Sequence, residues 1–282
     1  YAYVQVANVS DTLTAPTITI EPAGEQKAGW YGADGKELWI RISTNSPSAR
    51  EIHYSLTGAH VVDDHVEQIA DGREKRSIRV QITETGITNI IAWTGDGEGY
   101  VSEETTDVVK FDNVAPVISR TIVEGTAGNN NWYKTNVNIK VEANDPKGVL
   151  DGYIYRITTD TDQVIKAETH ETDVNKKIAI TQDGKYKVYI QAIDQAGNKS
   201  TTTVVEVKKD STPPTLGTLR IDNITGTGFR INASAGDDTS GIAKYEYLLD
   251  GVKKAEGTGN TYTVTGLSSK KTYNVLVRVT DN

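Results

Sequence analysis

The reactive side chains of this sequence are mostly carboxylates: 38 Asp and Glu, against four His and no Cys. Without Cys there is no disulfide, no thiol nucleophile and no thiolate metal site. Three of the four His fall between His53 and His65, and His60 and His65 flank Asp63 and Asp64. That composition suits a metal-binding loop, although a polar run of this kind reads first as a solvated loop. Adjacent carboxylates occur at Asp63-Asp64, Glu103-Glu104 and Asp237-Asp238. General acid–base catalysis needs two carboxylates facing each other across a cleft with separated pKa values. Neighbours on a strand point to opposite faces, so these pairs are expected to be solvated turns. The sequence has no Gly-x-Ser-x-Gly elbow, phosphate-cradling glycine loop or His-Glu-x-x-His run. No catalytic residue is assigned, and the chain is not expected to be an enzyme in itself.

Another set of carboxylates recurs. Asp112-Asn-Val-Ala-Pro116 and Asp210-Ser-Thr-Pro-Pro214 read as short joints, and Asp96 and Asp194 lie shortly upstream of them. Hard oxygens from adjoining modules can chelate Ca²⁺ and stiffen a joint. The candidate ligands are Asp96, Asp112, Asn113, Asp194 and Asp210, and structural calcium is the one cofactor considered. Asp and Asn also cap turns without metal, and Ser211 replaces Asn113 at the second joint. The first joint resembles the acidic linker that closes cadherin repeats, although the other cadherin ligand motifs are missing.

Aromatic residues are the remaining means of binding. Trp30-Tyr31 and Trp132-Tyr133 recur at equivalent places and are expected to pack each module's core or cover its end. Trp93 differs. The repeat register sets it opposite Gln191 and sets Ile91 opposite Tyr189, on an outward face. An outward Trp beside an outward Ile suits stacking on a sugar ring or docking a partner. An inter-module contact, or a bulge that reverses the face, explains the same pattern without a ligand.

The elements that position these residues are strands. No apolar helical periodicity persists over several turns, and no apolar run approaches the length of a membrane-spanning helix. Val137, Ile139 and Val141 alternate with Asn138, Lys140 and Glu142, and the residues from Tyr273 to Val279 alternate likewise. Turn signals such as Asp183-Gly184 and Asp250-Gly251 punctuate the strands. A chain of 282 residues suits two or three domains. An internal repeat fixes the number. Ile180-Thr-Gln-Asp-Gly184 echoes Ile82-Thr-Glu-Thr-Gly86, 98 positions apart, and the same spacing relates Asp96 to Asp194 and Asp112 to Asp210. A third copy follows Pro213-Pro214, its Thr272–Asp281 matching Lys185–Asp194. The expected division is residues 1–12 as the last strand of a preceding module or a linker, with Tyr3–Val6 as that strand. Domains then follow at 13–112, 113–210 and 211–282, the third lacking its last strand.

The motifs carry a resemblance. Gly266-Leu-Ser-Ser-Lys-Lys-Thr-Tyr273 resembles the Leu-to-Tyr stretch of fibronectin type III modules, where the Tyr forms the tyrosine corner. Asp237–Tyr247 is similar to their central strands. Ala192-Ile-Asp-Gln-Ala-Gly-Asn-Lys-Ser200 resembles bacterial immunoglobulin-like repeats that end in an Asp-x-Ala-Gly-Asn turn. The resemblance covers nearly the whole chain and implies an all-β fold: tandem immunoglobulin-like and fibronectin type III-like β-sandwiches in an extended array. The first copy departs from it, with Thr88 where Tyr186 stands and Asp96-Gly-Glu-Gly-Tyr100 in place of Asp194–Asn198.

Thirty basic against 38 acidic residues leave a net charge of −8, which argues against nucleic acid and against docking on anionic lipid. The expected role is a stalk or spacer of a bacterial secreted or cell-surface protein, projecting a functional head. Its partners would be neighbouring modules of the same chain, with host or matrix glycan or protein as an addition, and no membrane insertion in this segment. The alternatives are an adhesin or carbohydrate-binding module centred on domain 1, and accessory domains of a large secreted enzyme. The native chain is expected to continue beyond Asn282; a Tyr3–Val6 strand donated to a neighbouring subunit is the sharper alternative.

Overall fold

The computed structural model describes residues 12–21, 29–32, 35–69 and 76–282, and its elements from β1 to β22 are all strands. The expected strand at Tyr3–Val6 lies outside the described residues. The chain divides into two compact units. One comprises Tyr1–Ser119, Ala143–Tyr153 and Gln191–Thr201; the other comprises Arg120–Glu142, Ile154–Ile190 and Thr202–Asn282.

The first repeat contains β1 (Thr17–Glu21), β2 (Trp30–Tyr31), β3 (Leu38–Ser43), β4 (Glu51–Gly58), β5 (Val62–Gln68), β6 (Ser77–Ile82), β7 (Gly86–Gly95) and β8 (Thr105–Phe111). They form two sheets, ordered β1-β3-β6 and β2-β8-β7-β4-β5. Leu38, Ile40 and Ile42 on β3 are buried at every second position, which is what a strand with one face on a core requires. With Ile52, Leu56, Ile82, Ile90 and Val109 they make one continuous core between the sheets.

The second repeat contains β9 (Val117–Glu124), β10 (Trp132–Tyr133), β11 (Val137–Asn144), β12 (Leu150–Thr159), β13 (Val164–Glu171), β14 (Ile178–Ile180), β15 (Gly184–Asp194) and β16 (Thr203–Lys209). Its sheets run β14-β11-β9 and β10-β16-β15-β12-β13, the same order as in the first repeat. Val137, Ile139 and Val141 face inward as expected. The third repeat contains β17 (Thr215–Asp222), β18 (Phe229–Gly236), β19 (Ile242–Leu249), β20 (Val252–Gly257), β21 (Thr261–Val264) and β22 (Val275–Asp281). Its sheets are β17-β18-β21 and β20-β19-β22, closed over Ile231, Tyr245, Tyr247, Leu249 and Val277. The fold is all-β, as the alternation and the repeat imply.

The corner positions explain one departure in the sequence. The Tyr186 hydroxyl donates to Asp183 O at 3.1 Å, and the Tyr273 hydroxyl accepts the Ser268 amide at 2.9 Å. In the first repeat Thr88 is fully buried and its hydroxyl accepts the His60 amide at 3.1 Å. A shorter side chain therefore ties the corner through a different loop.

Candidate cation site at the linkers

Each linker begins at an aspartate whose backbone is pinned before its side chain does anything. The two-residue strand β2 lies parallel to β8, with Trp30 opposite Lys110 and Tyr31 opposite Phe111. The amide of Asp112 continues this ladder, donating to Tyr31 O at 2.8 Å. The second repeat does the same: β10 is parallel to β16, and the Asp210 amide donates to Tyr133 O at 2.9 Å. Trp30 and Trp132 are both buried, so each anchors its short strand to the sandwich. Gly32 follows Tyr31 with φ +120°, and a Cβ there would overlap the Asp112 carbonyl, so only glycine allows this close approach.

The side chain of Asp112 meets two loops of the following repeat. One carboxylate oxygen each from Asp112, Asp145 and Asp194 lie within 4.8 Å of one another. Asp112 and Asp194 are 1% and 0% exposed. Asp112 Oδ1 accepts the Val114 amide at 2.9 Å. Asp145 Oδ1 accepts the amides of Lys147 and Gly148 at 3.0 and 2.9 Å, a turn cap directly after β11. Its Oδ2 is buried without a hydrogen-bond partner. Asp194, the last residue of β15, is held by Asn198: the Asn198 amide donates to Oδ1 at 2.8 Å and its Nδ2 to Oδ2 at 2.9 Å. The same Nδ2 donates to Asp112 O at 2.8 Å, so one side chain ties the linker to the loop that follows β15. The Asp-x-Ala-Gly-Asn turn thus has a defined task here.

Burial is the main cause that pushes the Asp112 carboxyl up to about 6, outweighing the Val114 amide, and the charges of Asp145 and Asp194 add to it. Burial likewise raises Asp194, against the hydrogen bonds from Asn198. The arrangement recurs at the next linker, where Asp210, Asp237 and Asp281 bring oxygens within the same 4.8 Å. Asp210 Oδ1 accepts the Thr212 amide at 3.0 Å, and Asp237 Oδ1 accepts the amides of Thr239, Ser240 and Gly241. Burial, and then the charges of Asp210 and Asp237, raise Asp281.

Three of the five candidate ligands, Asp112, Asp194 and Asp210, enter these two trios; Asp96 and Asn113 enter neither. Asp96 Oδ1 instead caps its own turn through the amides of Glu98 and Tyr100, at 2.8 and 3.1 Å. Asn113 is exposed, and its Oδ1 accepts the Thr85 hydroxyl at 3.1 Å. Its counterpart Ser211 bonds to Asp183, the counterpart of Thr85, so the Asn-to-Ser change preserves a tie outside the trio. The ligand-type residues missed in the sequence are Asp145, Asp237 and Asp281. Asn144-Asp145-Pro146 echoes Asn45-Ser46-Pro47, and Asp281 aligns with Asp194, so the register held the signal. Asp237, expected in a solvated turn, is half-buried, while Asp238 is exposed.

Trp93 and Ile91 lie half-buried on β7, alternating with the buried Ala92 and Thr94. Trp93 pairs across the ladder with His53, their rings stacked at 5.2 Å and 15°, and Ile91 pairs with Ser55. His60 and His65 do not converge on Asp63 and Asp64: His60 Nδ1 accepts the Thr83 amide at 3.2 Å, and His65 lies 5.0 Å from the Tyr54 ring, whereas His53 Nδ1 is 3.7 Å from Asp64 Oδ1.

No family model matches the chain. Over 75 residues it is 39% identical to Chitinase C of Streptomyces lividans, a match covering 27% of this chain and 12% of that enzyme. Over 180 residues it is 27% identical to Exoglucanase B of Cellulomonas fimi, covering 60% of this chain and 16% of the enzyme. The chain therefore spans a small fraction of the length of these curated relatives. Among solved structures, the FN1-FN3 domains of chicken CNTN1 align over 95% of this chain and 94% of their own, at 13% identity and TM-score 0.30. The fibronectin(III)-like modules of Clostridium thermocellum CbhA align over 68% of this chain and 95% of their own, at 17% identity and TM-score 0.34. These likenesses to solved structures are distant, and the fold is read from the chain's own paired sheets.

Proposed function

We propose that this chain is a non-catalytic spacer of a secreted or cell-surface bacterial protein, built from modules at 13–112, 113–210 and 211–282. The observation that supports it is the repeated construction of the linkers. Each starts at an aspartate pinned by a Trp-Tyr strand, and each aspartate joins two carboxylates of the following repeat. Such a linker is built to hold neighbouring modules in register, and structural calcium is the cofactor that would complete it. The matches to a chitinase and an exoglucanase favour the accessory setting, a spacer inside a large secreted enzyme whose catalytic part lies elsewhere.

Small-angle X-ray scattering, in chelator and then in calcium, tests the spacer directly. A compact globule of this length has a radius of gyration near ~19 Å, whereas three sandwiches end to end give roughly 35 Å. The larger value is expected, and the smaller one would overturn the reading. A second reading, a binding module centred on the first repeat, draws on the half-buried Trp93 beside Ile91. Trp93→Ala would then abolish retention on a glycan or matrix panel; absence of binding by the unaltered chain counts against it.

A further inference from the structure

We propose that Asp112, Asp145 and Asp194 bind one hard divalent cation of the calcium class. The idea takes its purpose from the spacer reading, but its chemistry stands on the site alone. Three carboxylate oxygens within 4.8 Å of one another, two of them on residues almost wholly withdrawn from water, repel at close range. Among the described residues no cationic side chain pairs with them, and the donors that reach the trio are neutral amides. Asp145 Oδ2 goes further, being buried with no hydrogen-bond partner at all. A buried acceptor left in that state costs roughly 1–3 kcal/mol, and more when it is charged.

The packing around the orphaned oxygen keeps the space open. A Cβ on Gly148 would overlap Asp112 Oδ2 and approach Asp145 Oδ2 to 2.8 Å. The two free-facing oxygens therefore converge over the one residue of the loop that has no side chain. Asp112 and Asp145 are each held by turn amides on Oδ1, which leaves Oδ2 to converge, and Asn198 orients Asp194 through one bond to each oxygen, each oxygen keeping a second lone pair. The donor set is oxygen only, which disfavours zinc and the softer metals. Ligand number separates the rest: magnesium dehydrates reluctantly and is usually held by only one or two carboxylates with several waters, whereas calcium takes six to eight oxygens, so three protein carboxylates suit the larger ion.

The test is a calcium titration of the whole chain followed by amide NMR, with magnesium as the comparison. Saturable shifts at Val114, Gly148 and Asn198 are expected, with magnesium weaker. Asp145→Asn should weaken calcium at these amides by about tenfold or more, because it removes charge while retaining the Oδ1 acceptor of the turn. Gly148→Ala should do the same by filling the space, and Asp194→Asn serves if either variant fails to fold. Asp237→Asn, at the other trio, should leave the three amides responsive. Amides that stay still at about 10 mM calcium, beyond the range of extracellular calcium modules, overturn the site. So does an Asp145→Asn variant that titrates like the parent. Scattering in chelator separates the two readings: a compact chain whose amides still shift refutes the spacer and keeps the site.

Discussion

Among the described residues Lys209 is the largest fully buried side chain, and it is a basic one. Its Nζ reaches Asp183 Oδ1 at 2.5 Å and Ser211 Oγ at 2.9 Å. Asp183 also accepts the Thr212 hydroxyl at 2.7 Å. The register names the alternative: Phe111 and Thr85 occupy the corresponding places in the first repeat. Removing one partner of a buried pair costs about 3–5 kcal/mol, whereas replacing both with a packed apolar residue is often neutral. Lys209→Ala should therefore lower stability by about that amount in urea unfolding. The double variant Lys209→Phe with Asp183→Thr, which copies the first repeat, should regain most of it; failure to do so would mean the two sites pack differently. Acid gives a second handle. Burial alone would raise the Asp183 carboxyl, but bonds from Lys209, Thr212 and Ser211 outweigh it and bring it to about 2. A folded pKa below the unfolded value of ~3.9 contributes stability that is complete above about pH 4 and disappears as the pH falls toward 2. Allowing for its partial exposure, roughly 1–2 kcal/mol should be lost across that window, and Asp183→Thr should abolish this part of the acid dependence.

At the level of elements, the regular strands were legible because alternation needs only local sequence. Val137, Ile139 and Val141 could be placed on the core from their own spacing. The Trp-Tyr pairs were legible as packing residues, but their function as parallel strands was not, since parallel pairing joins segments remote in sequence. The trios were half legible for the same reason. Asp112 and Asp194 sit in a repeat visible by inspection, whereas Asp145 is brought to them by the path from β11 to β12. Asp96 shares the register of Asp194 yet caps a turn, because Ser46 stands where the second repeat has Asp145. If β10 holds the linker, Trp132→Ala should cost about 3–5 kcal/mol and speed hydrogen exchange at the Asp210 amide ahead of global unfolding. Exchange that accelerates only together with the core would show the strand to be a passenger.

For the whole molecule, the modular reading makes a claim about where the chain can be cut. Asn113 and Ala115 are exposed in the first linker, and Ser211, Thr212 and Pro213 in the second. Limited proteolysis should therefore cleave near 112/113 and 210/211, leaving stable pieces of about 110, 100 and 70 residues, as expected of domains that fold as units. Cleavage within 143–153 or 191–201 before the linkers would show that these loops, and not the linkers, are the weak points. Calcium should slow the first cut if the Asp112 site is occupied.

The parallel pairing of β2 with β8 and of β10 with β16 also bears on mechanical force. A pull along the end of β8 or β16 runs parallel to the strand and across its hydrogen bonds, so those bonds share the strain and must break together, not in succession. Trp30 and Trp132, each sunk in its sandwich, keep the short partner strand from being dragged out with the pulled one. A protein tethered at one end and tugged at the other would load these bonds together where the last strand of each repeat runs into its linker.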